Sequence, residues 1–125
     1  MKRRILVVED QDDSRRIMRD LLASAGYQVL EARTGADAVK AAETERPDLI
    51  LMDLQLPVSD GLEATRRIKA IESLRDTPVI AVTSYALSGD NDKAMAAGCD
   101  SYFSKPVSPR TLLAKINTIL SKPTK

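Results

Sequence analysis

The residues of this chain best suited to chemistry are a few acids, a threonine and a lysine, each set behind a short apolar run. Glu9 and Asp10 follow Ile5–Val8, Asp53 follows Leu49–Met52, Thr83 follows Val79–Val82, and Lys105-Pro106 comes just after Ser101–Phe103. If the runs are neighbouring strands, Glu9, Asp10 and Asp53 come together. Like charges at ~4 Å cost about 4 kcal/mol per pair at an effective dielectric of 20. Such a cluster calls for a cation. Mg²⁺ suits it, being a hard ion that keeps several waters and takes one or two carboxylates together with phosphate oxygens. Lys105 adds a second positive charge. A solvated loop cluster neutralised by Lys105 alone is the plainer alternative. It accounts for each acid singly, but not for acids at two strand ends with Thr and Lys at two others.

The elements that must position these residues alternate. Ile5–Val8 is a buried strand, and Ile17, Met18, Leu21, Leu22 and Ala25 then recur at helical spacing, with Gly26 as a stop. Gln28–Ala32 is a second strand, and Ala36–Glu45 a helix of small residues ended before Pro47. Leu49–Met52 is the most apolar strand; Leu62–Ile71 is helical after Gly61; Val79–Val82 is again a buried strand. Asp90–Ala97 is a short helix stopped by Gly98, and Ser101–Phe103 a weaker fifth strand. Leu112, Leu113, Ile116, Ile119 and Leu120 form the stripe of a last helix, capped near Ser108 with Pro109 at its first position. Strands apolar on both faces and separated by helices predict a parallel sheet covered on both sides. Five such units are too few for an eight-stranded barrel, so an open, doubly wound α/β sheet is expected. In the order 2-1-3-4-5, strands one and three meet at the switch point, where such sheets bind ligands beyond their carboxyl ends.

Composition narrows the function. At 125 residues the chain suits one domain, residues 1–125, with a polar tail at 121–125 expected to fray. A net charge of +1 and 3% aromatic residues argue against a nucleic-acid groove. No long apolar run crosses a membrane, and the apolar run after the basic Met1–Arg4 is too short for an export signal, so a cytoplasmic protein is expected. The single Cys99 permits no internal disulfide and is expected to be a small core residue. There is no histidine, which excludes the chain as a phosphohistidine donor.

From Ile5 through the last helix the sequence resembles the response-regulator receiver family. The landmarks are Glu9-Asp10, then Met52–Pro57 with Asp60-Gly61, then Thr83, then Tyr102–Pro106. The resemblance implies a flavodoxin-like (βα)5 fold and a phosphorylation-switched signalling protein of a two-component phosphorelay. It makes Asp53 the phosphoacceptor, Asp10 a direct Mg²⁺ ligand, Glu9 a ligand largely through water, and Gln55 a ligand through its backbone carbonyl. Lys105 would pair with a phosphoryl oxygen and Thr83 would hydrogen-bond another. Ser84 stands beside Thr83 where Ala or Gly is frequent, and Gln55 and Tyr85 flank the site where dephosphorylation is tuned. Tyr102 matches an aromatic switch position; Pro57 and Gly61 shape the loop after Asp53, and Lys105-Pro106 matches a frequent cis bond.

The resemblance extends to single-domain receivers of the DivK and chemotaxis kinds, and Met1 just ahead of the first strand suits a free-standing protein. The segments 60–68 and 98–106 also resemble receivers fused to hybrid histidine kinases. The implied partners are a sensor histidine kinase or a histidine phosphotransfer protein, and a downstream protein reached through the face of the fourth helix, fifth strand and fifth helix. A monomer or a phosphorylation-dependent dimer is expected, and no enzyme activity beyond self-phosphorylation and autodephosphorylation. A phosphatase of the haloacid-dehalogenase kind also uses a strand-end Asp with Mg²⁺ and Lys, but it needs a second acid two residues on, where Gln55 stands. A degenerate receiver would lack an acid or the lysine. Arg15, Arg16 and Arg19 on the first helix read as a solvated face or a docking surface for acidic helices of the donor.

Overall fold

A computed structural model of the chain describes residues 3–54, 61–83, 95–104 and 108–121. Five strands, β1 (Arg4–Val8), β2 (Gln28–Ala32), β3 (Leu49–Asp53), β4 (Val79–Thr83) and β5 (Ser101–Ser104), form one parallel sheet in the order β2-β1-β3-β4-β5. The helices are α1 (Asp12–Ser24), α2 (Gly35–Glu45), α3 (Gly61–Ala70), α4 (of which 95–97 are described) and α5 (Pro109–Leu120). This is the doubly wound flavodoxin-like arrangement expected from the alternating pattern.

Each face of the sheet has its own core. Leu6, Val8, Ile50, Met52, Val79 and Ala81 pack against α2 and α3 through Ala38, Ala42, Ala64 and Ile68, with Leu74 and Cys99 closing the end. Ile5, Val7, Leu49, Leu51 and Ile80 pack against Leu22 of α1 and Leu112 and Ile116 of α5. Alternate residues of one strand therefore serve opposite cores, which is why the central runs carry no polar alternation. Every residue of β3 is buried, while edge strand β2 exposes Gln28 and Glu31, half-buries Val29 and Leu30 and buries Ala32.

Helix ends follow local chemistry. Thr34 caps α2 by accepting from Asp37 N–H at 3.0 Å, which starts the helix at Gly35, one residue before the expected Ala36. Ser108 caps α5, with Pro109 in the first turn, as expected. Asp12 and Asp13 place negative charge in the first turn of α1, where the helix dipole favours it. Gly98 has φ +110°, and a Cβ there would meet Lys69 Cγ at 2.9 Å, so the turn into β5 needs glycine twice over.

Further features differ from expectation. Ile17, placed in the apolar stripe of α1, is 69% exposed; the helix buries Leu22 and leans on Met18 instead. A 3-10 turn at Glu72–Leu74 follows α3 and drops Leu74 into the core. Strand β5 runs one residue further than Phe103, pairing Ser104 with Thr83. Residues 90–94 of the expected fourth helix and 122–125 of the tail lie outside the described residues. No helix among the described residues is long and apolar enough to cross a membrane.

Candidate functional site

Register decides which polar residues meet. Val8 is paired with Met52, so the residues that follow, Glu9 and Asp53, leave the two central strands side by side. The carboxylates of Glu9, Asp10 and Asp53 offer oxygen atoms that all lie within 4.8 Å of one another. Glu9 and Asp53 are 7% and 5% exposed, and Asp10 is half-buried. At that spacing each pair of full charges repels by about 3 kcal/mol at an effective dielectric of 20. Three hard oxygen donors converging from two strand ends fit a divalent cation of the Mg²⁺ type.

The loop bearing Glu9 and Asp10 is held at several points. Glu9 N–H donates to the Ala32 carbonyl at 3.1 Å, continuing the β1–β2 ladder by one bond. Gln11 N–H donates to the Glu9 carboxylate at 3.1 Å, turning that side chain back over its own loop. Arg15 Nη1 donates to the Glu9 carbonyl at 3.0 Å, Nη2 to Asp12 at 2.7 Å and Nε to Glu31 on β2 at 3.0 Å. The hydrogen bond from Arg15, with the charges of Arg33 and Arg15 itself, holds the Asp12 carboxyl below its usual range. The arginine cluster of α1 is therefore not one solvated face. Arg15 is 14% exposed in its side chain and faces the loop, whereas Arg16 is 62% exposed and Arg19 41%.

Asp53 is backed by α3. A Cβ on Gly61 would lie 2.3 Å from the Asp53 carbonyl oxygen and 2.8 Å from Leu54 Cα, so the helix reaches the strand end only with glycine at its first residue. One turn on, the buried Thr65 hydroxyl donates to the Gly61 carbonyl at 2.7 Å, and the Cys99 thiol approaches that hydroxyl at 3.9 Å. Cys99 is 4% exposed, a small core residue as expected; burial pushes its thiol up, against the smaller opposing effect of the Thr65 hydrogen bond.

Of the other residues singled out, Thr83 ends β4 and its backbone pairs with Ser104, one step beyond the Asp53–Val82 pair. Tyr102 sits on β5 opposite Ala81 and packs on the core of the α2–α3 face. It lines a groove with Met95, Phe103, Ala114, Lys115 and Thr118, where the last helix, β5 and the end of α4 meet. Gln55, Pro57, Asp60, Ser84, Tyr85, Lys105 and Pro106 lie outside the described residues. Sequence reasoning missed Arg15 as a loop anchor and Thr65 as a buried link. Neither has a local signal beyond a basic residue one turn into a helix and a polar residue in an apolar stripe.

Comparison with known proteins agrees with this geometry. The family model for the response regulator receiver domain matches residues 5–117. The curated relatives include the polar-differentiation response regulator DivK of Brucella anthropi, 41% identical over 120 residues, covering 96% of this chain and 98% of the relative. Among solved structures, the receiver domain of a sensor histidine kinase from Pseudomonas aeruginosa is 38% identical with a TM-score of 0.91, covering 98% of this chain and all of that one. That structure holds a magnesium ion coordinated in its active site cleft. A chemotaxis protein from Vibrio cholerae is 27% identical with a TM-score of 0.90, covering 95% of this chain and 99% of its own.

Proposed function

The chain belongs to the response regulator receiver domain family, and on that premise we propose that Asp53 accepts a phosphoryl group from a phosphohistidine donor. The observation that carries this is the convergence of Glu9, Asp10 and a nearly buried Asp53 at the ends of adjacent strands. An Asp53 carboxylate oxygen forms the new bond to phosphorus as the phosphorus–imidazole bond breaks, and the freed imidazole takes a proton from solvent. Glu9, Asp10, Asp53 and the Gln55 backbone carbonyl would hold Mg²⁺, which when bound supplies neutralising charge to the phosphoryl oxygens. Lys105 would add positive charge, and Thr83 and Ser84 would hydrogen-bond the phosphoryl group. By the family resemblance Pro57, Gly61 and Pro106 would shape the loops around it. In this reading residues 1–125 act as one cytoplasmic receiver domain. Its donor is a sensor histidine kinase or a phosphotransfer protein, and its output is a protein partner. The groove beside Tyr102 supports output through the surface of α4, β5 and α5.

The test is intact-mass spectrometry after incubation with acetyl phosphate and Mg²⁺. One added phosphoryl group on the wild type and none on Asp53→Asn is the expected result. Equal labelling of both places the acceptor elsewhere. Steady turnover of the donor without an adduct would instead point to a phosphatase, and no reaction to a degenerate receiver.

A further inference from the structure

Arg15 divides its guanidinium among three segments: the Glu9 carbonyl at the end of β1, Asp12 at the start of α1, and Glu31 on β2. The Glu9 carbonyl belongs to the peptide plane that joins Glu9 to Asp10, so whatever fixes that oxygen fixes the direction in which Asp10 leaves the strand. The flanking groups are tied as well: Glu9 N–H, in the preceding peptide, donates to the Ala32 carbonyl, and the Glu9 carboxylate accepts from Gln11 N–H. We propose that Arg15 is a positioning residue for the cation site: by clamping the Glu9–Asp10 peptide between β1, β2 and α1, it sets the geometry at which both acids face Asp53. This rests on the reading of the acidic cluster as a Mg²⁺ site.

Two physical effects of Arg15 have opposite signs, which makes the assignment testable. As a fixed positive charge beside the cluster, it repels a cation, so its removal by charge alone tightens Mg²⁺ binding. As a clamp it does the reverse, because Mg²⁺ demands near-ideal octahedral geometry and tolerates misplaced ligands poorly. Loss of a group that orients metal ligands typically weakens affinity by about ten- to a hundredfold, more than a screened surface charge restores. The surroundings isolate the effect. Glu31 has Arg19 at 3.8 Å and Asp12 has Arg33 at 3.6 Å, so both acids keep an arginine when Arg15 is removed. The change then falls mainly on the Glu9–Asp10 peptide.

The experiment is a Mg²⁺ titration of ¹⁵N-labelled protein, following the amides of residues 9–11 and 53, on wild type, Arg15→Ala and Arg15→Lys. Urea midpoints measured in parallel show that each variant is folded. Arg15→Ala is expected to bind Mg²⁺ about tenfold more weakly than wild type. In its metal-free spectrum the shift changes should concentrate at residues 9–12. A merely structural role would lower the urea midpoint while leaving the affinity of the folded protein unchanged. Arg15→Lys keeps the charge, but one ammonium cannot replace a three-way fork, so it too is expected to bind more weakly. Wild-type or tighter affinity in Arg15→Ala overturns the assignment. Should alanine abolish folding, wild-type affinity in Arg15→Lys overturns it equally. Absence of any Mg²⁺ response in the wild type overturns the cation reading itself, and this assignment with it.

Discussion

Neutralising Asp10 should stabilise the metal-free protein and destabilise it relative to wild type once Mg²⁺ is added. In Asp10→Asn the shape is kept and one of three carboxylates within 4.8 Å is discharged. Two repulsive pairs are relieved, each worth at least about 3 kcal/mol at an effective dielectric of 20 before solvent screening. Asp10 is only half-buried, so water screens much of this, and a relief of about 2 kcal/mol is a reasonable figure. Against it stands the loss of a negative charge just before α1, worth about 0.3–1 kcal/mol. The net gain of about 1 kcal/mol would raise the urea midpoint by roughly 0.5 M for a slope near 2 kcal/mol/M. Mg²⁺ at 100 times its dissociation constant would add about 2.7 kcal/mol to the wild type, and much less to a variant that binds weakly. The stability order then reverses. Far-ultraviolet circular dichroism follows the melts, since the chain has no tryptophan. A variant less stable than wild type in chelator would refute the repulsion argument and give Asp10 a structural hydrogen bond instead. A wild type indifferent to Mg²⁺ would refute the cation site.

Gly61→Ala should destabilise by about 3 kcal/mol, because the added methyl meets backbone at 2.3 Å and 2.8 Å, far more than the roughly 1 kcal/mol of helix propensity it gains. Chemical denaturation would detect this, and a neutral variant would mean that α3 can lift away from the end of β3 without cost. Cys99 should resist thiol-specific labelling until the protein unfolds, since it is 4% exposed and burial favours its protonated form. Because its folded pKa is raised, its contribution to stability is intact below the ordinary thiol value of 9.0 and is lost as pH rises beyond that toward the folded value. A Cys99→Ser protein with the same decline in stability above pH 9 would assign that decline to other groups, Tyr27 among them, whose hydroxyl burial also pushes upward.

What was legible in the sequence was what local pattern encodes. Runs such as Leu49–Met52, apolar on both faces, announce central parallel strands, and their order follows from the fold they imply. Acids directly behind two such runs announce a strand-end cluster, and the structure brings Glu9, Asp10 and Asp53 together. What was not legible depends on partners distant in sequence or on backbone atoms. Arg15 reaches Glu31 across 16 positions and a carbonyl that any residue could provide, so it looked no different from Arg16. Ile17 and Met18 both fit an apolar stripe at 3.6-residue spacing. Only the position of β2 and α5 around α1 decides that Met18 turns inward and Ile17 stays in solvent.

The pairing of strand ends also says how a change at Asp53 would travel in the proposed switch. Asp53 pairs with Val82, and Thr83 with Ser104, so two backbone ladders join the acidic cluster to the edge strand that carries Tyr102. Strands lie about 4.8 Å apart, which puts that edge roughly 10 Å from Asp53. The amino end of β4 is pinned. Asp100 accepts from Val79 N–H at 2.8 Å and from Lys69 at 3.2 Å, Asp100 N–H donates to the Val79 carbonyl at 2.7 Å, and Lys69 also grips the Thr77 carbonyl at 2.6 Å. A strand pinned there cannot slide along its ladder, because every residue would then change register and move to the opposite core. The motion left to it is a small swing of the carboxyl end about the pinned start. In the proposed switch such a swing would move Thr83 most and Val79 least, and would pass through the Thr83–Ser104 pair to the β5 edge. Communication between the cluster and the edge would then cost a few hydrogen bonds at the strand ends rather than the several kcal/mol of repacking buried side chains.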